Sequence, residues 1–185
     1  MKKILYIFLL LHYAFSESNY NTIENNKGWF ISSSLGMQIS GIKSEDFINS
    51  NISPLITLNG GLWFTSEIGL QAGYKGFYFN YINDKNKHHY NFFYSEVLLN
   101  LTEMFSSNIK KFTILETIYH SGAGYFYNKY YKRPNICGNI GIINKLELKS
   151  YIDVYIDISA IIGWDIYQMD EDILPSLNLG IIYDF

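Results

Sequence analysis

The sequence predicts an all-β chain that forms an eight-stranded antiparallel up-and-down transmembrane β-barrel. Three observations carry this expectation. Apolar residues recur with a period of two over most of the chain after residue 27. That is the period of a strand, whose side chains point to opposite faces in turn. The alternating segments number eight, and their connections are short at one end and longer at the other, as in barrels that pass up and down through a bilayer. The chain is also aromatic-rich (18%) and charge-poor (17%), yet its mean hydropathy is only −0.01. Soluble domains carry about 25% charged residues, and disordered chains lack this apolar content. A polytopic helical membrane protein would be far more hydrophobic. One face for lipid and one polar face for a lumen reconcile the figures. At 185 residues the chain is long enough for one self-supporting domain.

The elements follow in order. Lys2 and Lys3 precede an apolar run from Ile4 to Leu11, and Ala14-Phe15-Ser16 supplies small residues at a cleavage site. Residues 1–16 thus read as a signal peptide cut after Ser16, too short for a spanning helix. Its removal takes two lysines and no acid, moving the net charge from −3 to −5. That balance disfavours nucleic acid, which wants a basic stripe. Residues 17–27 form a polar, Asn-rich periplasmic lead, and residues 28–185 the barrel. Strands are expected at 29–39, 55–64, 67–81, 90–102, 112–127, 136–148, 151–166 and 173–185. The seventh is the clearest: Ile152, Val154, Ile156, Ile158, Ala160, Ile162, Trp164 and Ile166 oppose Asp153, Tyr155, Asp157, Ser159 and Asp165. No stretch has convincing helical spacing. Thr65-Ser66 and Lys149-Ser150 are tight turns, with a longer turn at 106–111. The loops at 42–53, 82–89, 128–135 and 167–172 are polar.

The composition of the two faces decides which looks outward. The polar face is built from Gly, Ser, Asn, Gln and scattered acids, which suits a narrow eight-stranded lumen. Glu67, Glu96, Glu116, Glu147, Asp153, Asp157 and Asp165 share this inward phase with His120, Lys75 and Lys145. Buried charges must pair or be hydrated, so a salt-bridged lumen network with excess negative charge is expected. Trp29 and Trp63 fall near the short-turn end, with Trp63 on the inward phase. Tyr78, Tyr90, Phe92, Tyr125, Tyr127 and Trp164 fall near the long-loop end. Together they suggest two membrane-interface girdles.

The chain ends in Leu177, Leu179, Ile181, Tyr183 and Phe185 at alternate positions. This resembles the C-terminal assembly signal of outer-membrane barrels. The overall pattern resembles the small eight-stranded barrels of the outer membrane protein X and OmpA-barrel class, and the porin-T-like outer-membrane β-barrel domain family. Residues 94–101 (Tyr-Ser-Glu-Val-Leu-Leu-Asn-Leu) are similar to that family's Tyr-x-Glu-Ile/Val-Pro-Leu-x-Leu strand, with Leu98 in place of the proline. The resemblance implies an outer-membrane location, contact with outer-membrane lipid and lipopolysaccharide, and periplasmic chaperones and barrel-assembly machinery during biogenesis. It implies a structural or surface-interaction role through extracellular loops whose partner is unknown.

Little chemistry is legible. Cys137 is the only cysteine, so no internal disulfide or cysteine zinc site exists. His88 and His89 are neighbours whose side chains face apart in a strand. His120, beside Ser121 and with inward Glu116, invites comparison with barrel enzymes that modify lipid A using His, Ser and an acid. The comparison fails in detail: Ser121 has the lipid-facing phase, His120 does not, and no His-x-Ser-Asn stretch is present. Gly60-Gly61 and Gly122-Ala123-Gly124 sit inside strands, where they read as crowding or bending of the wall rather than phosphate loops. No cofactor, metal or catalytic residue is expected. The alternatives to a surface-interaction barrel are a lipid A-modifying enzyme, a narrow cation-preferring pore and a secreted soluble ligand-binding barrel.

Overall fold

A computed structural model of the chain describes residues 28–40, 51–80, 87–105, 115–149, 151–164, 166 and 171–185. The expected signal peptide, the lead and Asp165 lie outside them. Eight strands form a closed barrel in sequence order: β1 (Trp29–Ile39), β2 (Ile52–Trp63), β3 (Ile68–Asn80), β4 (Lys87–Asn100), β5 (Leu115–Asn128), β6 (Arg133–Lys149), β7 (Ile152–Trp164) and β8 (Glu171–Asp184). Every pairing is antiparallel, and β1 closes on β8 with Leu35 opposite Leu179. No helix among the described residues is long and apolar enough to cross a membrane; the strands here run to 17 residues.

The strand bounds move where local chemistry wins. β2 stops at Trp63 because Thr65 builds the turn: its Oγ1 accepts from the backbone N–H groups of Glu67 and Ile68 at 3.2 and 3.0 Å, a turn device of short hydroxyl side chains. β4 stops at Asn100, where a short helix α1 (Leu101–Phe105) begins. The Asn100 side chain caps it by accepting from Glu103 N–H at 3.2 Å, as Asn favours at helix starts. This helical turn departs from the all-strand expectation. At the other end β5 and β6 run further than their sequence bounds, so their connection shrinks to residues 129–132. His88 and His89, expected in a loop, lie in β4.

The molecule is inside out relative to a soluble domain. Leu35, Leu58, Phe93, Ile156, Ile158, Leu177, Leu179 and Ile181 are exposed, whereas Lys75, Glu96, His120 and Asn178 are buried to 1%. Exposed apolar strips and buried polar groups are the informative departures from ordinary burial. The lumen is filled in layers, running from the turn end to the loop end. A charged rim holds Glu116, Lys145 and Asp153. An apolar layer follows, of Phe30, Leu98, Ile118, Ile143, Tyr155 and Ile182 with Trp63 against it. A polar layer comes next, and then an apolar layer that includes Leu55, Tyr90, Phe92, Tyr94, Phe126, Cys137 and Leu174.

Small residues make room for large ones. A Cβ on Gly141 would collide with His120 Nε2, and one on Gly122 with the Ser95 carbonyl oxygen of β4. Phe77 breaks the alternation: it pairs with the inward residues Leu55 and Tyr90, yet its side chain is exposed at 38%. Its φ of 141° turns the ring out of a cross-section that Leu55 and Tyr90 already fill.

Candidate functional site

Among the described residues, polar side chains gather in the middle of the lumen, at its turn-end rim and at the loop-end mouth. In the lumen, β4 supplies Glu96, β5 His120 and β7 Asp157, all on the inward parity of their strands. His120 Nδ1 lies 3.0 Å from Glu96 Oε1 and its Nε2 3.1 Å from Asp157 Oδ1. A neutral imidazole has one N–H to give. A ring that donates from both nitrogens satisfies both carboxylates. With Lys75 it then balances the layer at two cations against two anions. Lys75 Nζ from β3 donates to Ser159 Oγ at 2.8 Å and Asn139 Oδ1 at 3.2 Å, and stands 3.9 Å from Asp157 Oδ2. Gln71 donates to Glu96 Oε2 at 2.7 Å, and Ser159 and Asn178 donate to Asp157 Oδ2 at 3.0 and 3.2 Å. The charges are thus paired and their remaining lone pairs filled, the condition under which buried ions persist.

Nearer the turns, Lys145 Nζ bridges Glu116 at 3.1 Å and Asp153 at 3.0 Å, and Asn100 donates to Glu116 at 3.2 Å. The rim is therefore acidic in excess, and the middle layer is not. Two acids expected in the network stand apart from it. Glu67 lies in the exposed β2–β3 turn, and Glu147 keeps the inward parity but is exposed where β6 overruns the barrel end beside a bulge. The partners Gln71, Asn139, Ser159 and Asn178 were not singled out from sequence. Their alternation marks them as inward, but parity does not say which inward side chains meet.

The aromatics divide. Trp29 and Trp164 are exposed at opposite ends, at 65% and 63%, and Tyr125 faces outward with them. Tyr127 shares that parity and is half-buried. Tyr78 lies in β3, and its side chain is outside the described set. Tyr90 and Phe92 are corrected: they sit in the lumen, buried to 1% and 0%. Tyr90 stacks on Phe126 at 4.7 Å between ring centroids and donates to Gln38 Oε1. Phe92 stacks on Tyr94 at 5.2 Å, and Gly73 and Gly124 on the neighbouring strands leave the room that Tyr94 fills. Ile166, placed outward from sequence, is also corrected: it lies beyond the end of β7 and is buried in the upper apolar layer. At the carboxyl end Leu177, Leu179, Ile181, Tyr183 and Phe185 are all exposed, and Phe185 N–H donates to the Trp29 carbonyl at 3.0 Å.

At the mouth His88 is buried while its neighbour His89 is exposed. His88 stacks on Tyr130 at 4.1 Å, and Tyr131 meets both rings. No group of three or more His, Cys, Asp or Glu residues suited to a metal ion occurs among the described residues.

Neither lumen cluster has reach to a substrate. Ser121 faces outward while His120 is sealed inside, so the two cannot cooperate. A cavity of about 20 Å³ lined by Phe30, Trp63, Gln71, Leu98, Lys145 and Tyr155 is room for one water. Between it and the loop end stand the Lys75 layer and the stacked aromatics. A reconstituted bilayer is therefore expected to show no single-channel conductance above background. Ohmic steps in salt solution would contradict the closed lumen.

No protein-family model and no curated protein matches the sequence. Solved structures do. Neisserial surface protein A superposes with a TM-score of 0.59 at 6% identity, over 85% of this chain and 97% of that one. Ail, the attachment invasion locus protein of Yersinia pestis, gives 0.54 at 12% identity, over 86% and 99%. The outer membrane protein OprG from Pseudomonas aeruginosa gives 0.51 at 9%, over 89% and 99%. At these identities the likeness is one of fold: this chain has the architecture of the small eight-stranded outer-membrane β-barrels.

Proposed function

We propose that the chain is an integral outer-membrane protein whose barrel is a closed scaffold and whose loop end meets partners outside the cell. The observation that carries this reading is the inverted burial: an apolar outer wall exposed from Trp29 to Trp164 around a lumen of paired charges. In water such a wall would be an aggregation surface; in hydrocarbon it is the stable arrangement, because a closed barrel satisfies its own backbone. This disfavours a secreted soluble barrel, whose apolar face would line the inside. The sealed position of His120 disfavours a lipid A-modifying enzyme. Among the structural neighbours, one is named a surface protein and one an attachment invasion locus protein, in keeping with a surface role. On this reading residues 1–16 direct export, the alternating C-terminal residues ending in Phe185 serve assembly by periplasmic chaperones and the barrel-assembly machinery, and lipid with lipopolysaccharide surrounds the wall.

Two measurements test it together. The protein is expected to resist carbonate extraction and to migrate differently on a gel before and after boiling. A Lys129→Cys variant is expected to react with a membrane-impermeant maleimide on intact cells, while buried Cys137 stays silent. Release by carbonate, or labelling only after lysis, would overturn the assignment.

A further inference from the structure

The loop-end turn between β5 and β6 is unlike the rest of the chain. Its sequence from Lys129 to Arg133 is Lys-Tyr-Tyr-Lys-Arg, and no acid occurs from residue 117 to residue 146 in a chain of net charge −3. All five residues are exposed. Tyr130 remains 60% exposed although one ring face is covered by His88.

The turn is also held in shape. Asn128 Oδ1 accepts from the N–H groups of Tyr130 and Tyr131 at 2.9 and 3.3 Å, and Lys129 N–H donates to the His89 carbonyl at 3.0 Å. Lys132 closes it in the left-handed region at φ 53°, which a lysine adopts only where the turn demands it. Asn128 Nδ2 ties the turn to the Ile166 carbonyl at 3.3 Å. Because His88 has the inward parity of β4, stacking on it draws Tyr130 over the barrel mouth rather than against the lipid-facing wall. A rigid pair of aromatic rings flanked by cations loses little entropy on binding.

Resting on the surface reading above, we infer that this turn is a binding site for an anionic saccharide outside the cell. The exposed ring of Tyr130 packs on the C–H face of a sugar, with Tyr131 set edge-on beside it, and Lys129 and Lys132 pair with the sugar's sulfate or carboxylate groups. Position over the mouth favours a chain in the medium over the phosphates of the surrounding leaflet. Ring faces give a sugar a platform that an acidic peptide does not need.

The test uses the full-length barrel in phosphatidylcholine nanodiscs, with dextran sulfate, uncharged dextran and poly-glutamate as probes. Dextran sulfate is expected to bind, and its affinity to fall as salt rises. Uncharged dextran is expected not to bind. The Lys129→Ala/Lys132→Gly double variant keeps the turn, since glycine accepts the positive φ, and is expected to bind about tenfold more weakly. Tyr130→Ala is expected to weaken binding with the salt dependence unchanged. Heat-modifiable migration reports that each variant is folded. Absence of dextran sulfate binding, equal binding by the double variant, or poly-glutamate binding as tight as dextran sulfate would overturn the inference. So would loss of the binding when lipopolysaccharide is added to the disc, because the leaflet would then own the site. Each of these failures leaves the maleimide labelling, and so the surface assignment, standing.

Discussion

Replacing His120 with alanine is expected to destabilise the folded barrel by about 3–5 kcal/mol, the range for breaking a buried ion pair from one side. The imidazole is the bridge between Glu96 on β4 and Asp157 on β7, both nearly inaccessible to solvent. Without it Glu96 keeps only the amides of Gln71 and Asn139, and Asp157 has Lys75 at 3.9 Å, whose hydrogen bonds go to Ser159 and Asn139. Urea unfolding in lipid vesicles, followed by tryptophan fluorescence, measures the loss. His120→Gln, which restores one donor, is expected to fall between the two. A His120→Ala variant within 1 kcal/mol of the parent would show that lumen water replaces the ring and that the bridge holds little of the fold.

The second large effect belongs to the outer wall. Leu179 is exposed at 64% in the middle of β8 and is flanked across the sheet by Leu35 and Ile156. Leu179→Arg is expected to cost about 2–4 kcal/mol in a bilayer, where arginine meets hydrocarbon, while Ile136→Arg near the loop end is expected to cost about 0–1 kcal/mol. The gradient matters more than either value. On a soluble barrel both substitutions would place a charge on a wetted surface and change stability by a few tenths of a kcal/mol. Equal, small effects at the two positions would therefore remove the membrane assignment.

Much of this architecture was written in parity. The first strand runs over the residues its alternation marks, and β7 differs from its expected bounds only at its ends. The carboxylates Glu96, Glu116, Asp153 and Asp157 were legible for the same reason. Their partners were not. Which inward side chain meets which across the lumen depends on strand tilt and stagger, and these emerge only when the sheet closes. Tyr90 and Phe92 were misread because aromatic density near a strand end was given more weight than phase. Their parity with Glu96 and Asn100 already pointed inward. Phe77 is the converse case, since parity alone puts it inside and crowding by Leu55 and Tyr90 puts it out. The short β5–β6 turn was hidden by its polar composition: Asn128 and Arg133 read as loop residues, yet they pair across the hairpin.

Closure of the barrel also shapes how the chain reaches this state. Seven of the eight pairings join strands adjacent in sequence, and each hairpin needs only a nearby partner. The eighth, between Phe30 and Asp184 and onward to Gln38 and Ser176, joins the two ends of the barrel and carries the largest loop-closure penalty. Until it forms, β1 and β8 are bare edges whose N–H and C=O groups have no partners in hydrocarbon. Folding into the bilayer is therefore gated by β8, the strand whose pairing with β1 completes the barrel. A chain cut short before β8 would expose β1 and β7 together, leaving a sheet suited to pairing with its neighbours and not to crossing the membrane.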